Sequence, residues 1–273
     1  MTLKTRNRTL VLFITFSALC LISVIFLFTN RLVNHYFETF YGYKFLSLEG
    51  FSLIKPSQKT VLMSLLFLQL YIPVTAFFLF HNFEKTQSTL IILFGAVLLG
   101  YQLEISKLII ALFNLTNTFS KTYLILGKYA LMGKLLSLAS FFMIASESKQ
   151  SQKLNIEYDL IMLLAICGLL AYFIPLNTAQ DMKSFAIRPG YFRILLVLAT
   201  ITIILTILTF IVNYRETENK SLLNLLFSYI PIIAGEHLLS SSDIFVITSA
   251  GAILLIVGTN LFMRSLHKMY LWS

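Results

Sequence analysis

Charge is scarce in this sequence. Only 12% of its 273 residues are Asp, Glu, Lys or Arg, against about 25% in a typical soluble domain. That is too little polar surface to cover the abundant Leu, Ile and Phe with water on every side, which excludes a soluble globular fold. Cysteine is almost missing too. Cys20 and Cys167 each sit inside an apolar run with no Cys or His at metal-ligand spacing, so a disulfide framework is excluded and both thiols are expected as small core hydrophobes. The signatures of familiar chemistry are absent as well. There is no GxxxxGK[ST] phosphate loop, no HExxH, no Rossmann glycine pattern and no G-x-S-x-G elbow, so neither a cofactor nor a catalytic residue is assigned. An intramembrane enzyme of unfamiliar chemistry is the least favoured reading.

What is present is apolar. Hydrophobic residues make up 58% of the chain and the mean hydropathy is +0.82, so lipid must act as the second solvent and membrane lipid is the first expected partner. The net charge of +9 would suit a nucleic-acid surface only if Lys and Arg clustered on one folded face. They lie instead in short gaps between apolar runs, where they serve as topogenic and headgroup-facing charge. No nucleic-acid partner is expected.

A spanning helix needs about 20 mainly apolar residues, because the hydrocarbon core is about 30 Å thick and a helix rises about 1.5 Å per residue. Eight segments approach that length: Leu10 to Thr29, Thr60 to Phe80, Thr89 to Phe113, Thr122 to Ser146, Asp159 to Leu176, Ile194 to Tyr214, Leu222 to Ser241 and Ile244 to Met263. Lys4, Arg6 and Arg8 precede the first like the n-region of a signal peptide, but its apolar stretch is too long and no small-x-small cleavage site closes it. Phe16-Ser17-Ala18-Leu19-Cys20 superficially resembles a lipoprotein box; the residue before the cysteine is large and the apolar run continues. The first segment is read as a retained helix. The fold class expected is therefore all-α, a polytopic integral membrane helix bundle of about eight transmembrane helices forming a single membrane domain over residues 1–273.

Orientation follows from Lys and Arg counts in loops. With the N-terminus inside, ten face the cytosol (Lys4, Arg6, Arg8, Lys85, Lys149, Lys153, Arg215, Lys220, Arg264 and Lys268) and eight face outward (Arg31, Lys44, Lys55, Lys59, Lys121, Lys183, Arg188 and Arg193). Both termini are expected in the cytosol, and the expected setting is a bacterial cytoplasmic (inner) membrane. Residues 30–59 form the one long loop. Its Tyr36, Phe37, Phe40, Tyr41, Tyr43, Phe45 and Phe51 suit an extracytoplasmic interfacial cap, with a ligand-binding lid as the lesser alternative. In the 177–193 loop, Pro189-Gly190 favours a tight turn, and its basic residues are expected to meet headgroup phosphates. The cluster from Ser240 to Asp243 is expected to cap the eighth helix; Pro73, Pro175 and Pro231 could kink theirs, with packing irregularity as the ordinary explanation.

Ionisable residues inside a membrane are costly unless paired or hydrated, so they are the functional candidates. The set is Glu104 and Lys107 in the third segment, Lys128 and Lys134 in the fourth, and Glu236 and His237 in the seventh. Glu104 and Lys107 share a helix face by their three-residue spacing. All six fall in one depth range, and Gly127, Gly133 and Gly235 beside them permit close helix approach. An interhelical ion-pair network, a hydrated pathway and snorkelling to the interface each fit such a cluster. The favoured function is a non-enzymatic sensor-like, scaffold or assembly subunit acting with partner proteins in the membrane. The alternative is a small secondary transporter or channel built on the Glu/Lys/His cluster, against which the lack of an internal repeat counts.

Overall fold

The computed structural model describes residues 3–34, 53–86, 88–115, 121–148, 156–181 and 185–271. The helices are α1 (Leu3–Val33), α2 (Gln58–Phe83), α3 (Thr89–Glu104), α4 (Ser106–Phe113), α5 (Lys121–Glu147), α6 (Ile156–Phe173), α7 (Phe192–Thr217), α8 (Lys220–Ser241) and α9 (Phe245–Leu271). α3 and α4 run on as one 25-residue segment, so among the described residues eight stretches are long and apolar enough to cross a membrane. The fold is an all-α bundle that fits an integral membrane protein. Most of the aromatic loop expected over 30–59, including all seven rings named above, lies outside the described residues.

Burial sorts the helices into centre and rim. In α2 and in the α3–α4 segment, 61% of the most apolar stretch is buried, against 11% in α1 and in α7 and 17% in α6. The centre is packed by aromatic contacts: Phe94 stacks on Phe262 at 4.4 Å, and Phe141 meets Tyr229 edge-on at 5.1 Å. The rim helices instead expose Leu12, Phe16, Leu19, Phe26, Leu169 and Leu198, an apolar surface of the kind that fits a hydrocarbon surrounding.

Glycines set how closely the central helices cross. A Cβ on Gly100 would stand 2.8 Å from Gly133 O and 2.9 Å from Ser137 N, and one on Gly235 would stand 2.6 Å from Leu255 N and 2.7 Å from Gly251 O. These are backbone atoms that cannot swing aside, so α3 touches α5, and α8 touches α9, main chain to main chain. The close approach expected beside Lys134 and Glu236 is thus realised.

Three features differ from the sequence reading. β1 (Leu176–Asp181) pairs antiparallel with β2 (Ile187–Pro189) as the two arms of a hairpin, with Asn177 opposite Arg188. Pro175 does not kink a helix: α6 has already ended at Phe173, and Pro175 O accepts from Gly190 N at 2.7 Å. Pro73 and Pro231 do lie inside α2 and α8. The first helix also begins seven residues earlier than the apolar run, at Leu3. In the turn before α9, Ser242 Oγ accepts from Ile244 N at 3.3 Å, and Ile244 is the residue that directly precedes the helix.

Candidate functional site: a buried charge cluster between three helix segments

Glu104 ends α3 and Lys107 lies in the first turn of α4, with Ile105 between them as a helix break. The backbone bond from Leu108 N to Ile105 O is a short i to i+3 closure of 2.8 Å, the tight geometry that often marks a break under strain. Ser106 Oγ donates to Leu126 O at 2.9 Å, tying the break to α5. Both charged side chains are sealed from solvent, Glu104 at 1% and Lys107 at 0% exposure.

Lys107 Nζ donates to Glu104 Oε1 at 2.9 Å and to Ser240 O at 2.8 Å. Ser240 stands in the last turn of α8, where backbone carbonyls lack intrahelical donors and carry the negative end of the helix dipole. One ammonium thus neutralises a carboxylate and caps a helix. Lys134, delivered by the Gly100–Gly133 crossing, brings Nζ to 3.3 Å from Glu104 Oε1 and keeps 41% of its side chain accessible. Glu236 follows Gly235 on α8, and its carboxyl group stands within hydrogen-bonding reach of that of Glu104. Glu104 Oε2 and Glu236 Oε1 are both buried without a protein donor.

Four of the six sequence candidates therefore meet: Glu104, Lys107, Lys134 and Glu236. The other two do not. Lys128 Nζ donates to Tyr172 O, at 2.8 Å, and to Ile174 O, so it caps the C-terminal end of α6 beside the hairpin. His237 is exposed on α8; it feels the cluster charges through space, and its ring makes no hydrogen bond among the described residues.

A further cation was missed as a structural element. Arg6, expected only as topogenic charge, is buried at 3% exposure and donates to Phe83 O and Glu84 O at 2.8 Å each and to Thr86 O. It caps α2 as Lys107 caps α8 and Lys128 caps α6. Gln69 and Gln102 form another unforeseen contact, pairing side chain to side chain across α2 and α3 with Gln102 Nε2 donating at 3.1 Å. Near the cluster, Tyr101 and Tyr229 bury their hydroxyls without partners.

Two cavities lie elsewhere. One of about 510 Å³ sits at the base of the hairpin against Arg188, Tyr191 and Arg193, and one of about 350 Å³ lies between α2 and α9 against Phe67, Tyr71, Thr259 and Asn260. Neither is lined by a member of the charge cluster. Among the described residues no group of His, Cys, Asp and Glu is arranged to hold a metal ion. No family model matches this chain, and no curated protein or solved structure matches it either.

Proposed function

We propose that the chain is a non-enzymatic membrane component, a sensor-like, scaffold or assembly subunit that acts through partner proteins in the membrane. The observation that carries this reading is the closure of the charge cluster. Glu104 and Lys107 are sealed where α3–α4, α5 and α8 meet, and the two cavities described above are lined by other residues. Such a network fixes how helices pack and gives the bundle one charged joint to switch. The rim supplies the surface for partners, since α1 and α7 bury only 11% of their apolar stretches in the bundle.

The setting that goes with this reading is the cytoplasmic (inner) membrane of a bacterium with both termini inside. Helical spans belong to that membrane rather than to an outer membrane of β-barrels, and the ten-to-eight Lys/Arg bias gives the orientation. The test is a photo-crosslinking residue placed at exposed Leu198 on α7, followed by identification of the adducts from native membranes. A defined protein partner is expected. Adducts to lipid alone, from a protein that moves a solute unaided in proteoliposomes, would reject the proposal.

A transporter or channel is the second reading, favoured by one specific feature. The helix break at Ile105 stands directly between Glu104 and Lys107, and broken helices often mark ion sites in transporters. It predicts proteoliposome flux that is lost in Glu104→Gln and Glu236→Gln. Flux unchanged in both variants would remove these residues from any transport role.

A further inference from the structure

The hydrogen bonds of the charge cluster do not close on the heavy atoms alone. Both cations address Glu104 Oε1, at 2.9 Å from Lys107 and 3.3 Å from Lys134. The other oxygen, Oε2, has no protein donor, and neither has Glu236 Oε1, although both are buried. The two carboxyl groups nevertheless stand within hydrogen-bonding reach of each other. An ionised carboxylate offers only acceptor lone pairs, so two of them cannot bond to one another. Two adjoining negative charges in a low-dielectric interior also repel strongly. A proton on one of the pair removes both difficulties at once, as in other paired-carboxylate sites.

We propose that Glu104 and Glu236 form a binding site for a single proton, carried by Glu236 and donated to Glu104 Oε2. The positions of the cations decide which carboxyl carries it. Glu104 has both ammonium groups in contact and is the ionised acceptor, whereas Glu236 has no ion pair among the described residues. The titratable and charged groups around the pair are Tyr101 and Glu104 from α3, Lys107 from α4, Lys134 from α5, Tyr229 and His237 from α8, and Tyr71 from α2, close to Tyr101; α9, packed on α8 at Gly235, adds none among the described residues. The Tyr101 hydroxyl, three residues before Glu104 and 1% exposed, also lacks a partner, so the polar interior continues from the carboxyl pair along α3. This site is independent of whether the protein acts through partners or moves a solute.

The experiment is infrared spectroscopy of the purified full-length protein in detergent at neutral pH, in light and heavy water. A protonated carboxylic acid gives a carbonyl band that moves down on deuteration, and that band is expected in the wild type. Labelling with carbon-13 glutamate must shift it, since the only other acid with an unpartnered buried oxygen among the described residues is Asp159. Glu236→Gln is expected to abolish the band while keeping helix content and thermal stability, because its amide donates to Glu104 Oε2 in place of the acid. Absence of the band in the wild type overturns the proposal. So does a band that ignores the glutamate label, or one that persists in Glu236→Gln. The labelled wild-type measurement stands on its own if the variant does not fold.

Discussion

The bond between Lys107 and Glu104 is the contact whose removal is most informative, because the two ends are not equivalent. At the effective dielectric of about 20 that reproduces measured pairs, unit charges 2.9 Å apart attract by about 6 kcal/mol and charges 3.3 Å apart by about 5 kcal/mol. Desolvation of each ion offsets several kcal/mol of this, so the quantity to predict is the cost of stranding a charge, about 3–5 kcal/mol. Lys107→Met leaves Glu104 with Lys134 still beside it, and the loss is expected at the lower end, about 3 kcal/mol. Glu104→Gln leaves Lys107 fully buried with Ser240 O as its remaining bonded partner, and the loss is expected at the upper end, about 5 kcal/mol.

The double variant Glu104→Gln/Lys107→Met removes both fully buried charges together, leaving only Lys134 without its partner and Ser240 O without its donor. Its cost is expected to fall below that of Glu104→Gln alone, a coupling of at least about 3 kcal/mol for residues in direct contact. Unfolding in mixed micelles titrated with dodecyl sulfate gives the free energies, followed by circular dichroism and by the reactivity of buried Cys167. Lys134→Met is the internal comparison. Its Nζ is the more distant of the two cations, at 3.3 Å against 2.9 Å, and Lys107 stays on Glu104 after its removal, so the loss is expected to be smaller than that of Lys107→Met. Single losses that add within about 0.5 kcal/mol in the double variant would refute the network, since independent sites behave that way.

The other predictions concern packing, capping and orientation. Gly133→Ala sets a Cβ 2.6 Å from Glu104 N, whereas the same change at Gly168 meets nothing nearer than Met132 Cε at 3.7 Å; the first is expected to destabilise by about 1–3 kcal/mol as overpacking and the second to be neutral or mildly stabilising, read by the same micelle titration. Lys128→Met should cost about 1–2 kcal/mol as a lost charged cap, and in combination with Glu104→Gln it should be additive; a coupling like that of Lys107 would return Lys128 to the cluster. For the proposed orientation, single cysteines at Lys4 and at Arg188 in a Cys20→Ala/Cys167→Ala background should react with an impermeant maleimide from opposite faces of sealed vesicles, with Lys4 on the cytosolic face. Reaction from the same face would overturn the alternation of spans.

Much of this fold was legible because hydrocarbon thickness imposes a length on each apolar run, and run length is a property of sequence alone. The Glu104–Lys107 pair was legible for a similar reason: three residues on a helix is a geometric relation, and buried charge needs a partner. The roles of Lys128 and Arg6 were not. Their partners are backbone carbonyls of Tyr172, Ile174, Phe83 and Glu84, and a carbonyl has no letter in a sequence. The glycines fail differently. A search for GxxxG asks about one helix, and Gly95 with Gly100, or Gly251 with Gly258, do not have that spacing; the operative pairs are Gly100 with Gly133 and Gly235 with Gly251, which lie on different helices.

The break at Ile105 is the hardest feature to read, since no Pro or Gly stands between Tyr101 and Ile109 to announce it. Its cause lies in what the flanking side chains reach. Ser106 Oγ bonds Leu126 O on α5, and Lys107 Nζ spans Glu104 Oε1 and Ser240 O on α8. A regular helix would also place Glu104 and Lys107 on one face; what the sequence does not show is the third bond, which ties Lys107 to the end of α8. The break is thus a consequence of tertiary charge capping, which orders cause and effect: Lys107→Met should let the segment from Thr89 to Phe113 close into one continuous helix. Amide hydrogen exchange tests this. Protection at Ser106 should rise in Lys107→Met even as global stability falls, an opposition that ordinary destabilisation cannot produce. Exchange that quickens at this amide along with the rest would show that the break belongs to α3 and α4 themselves.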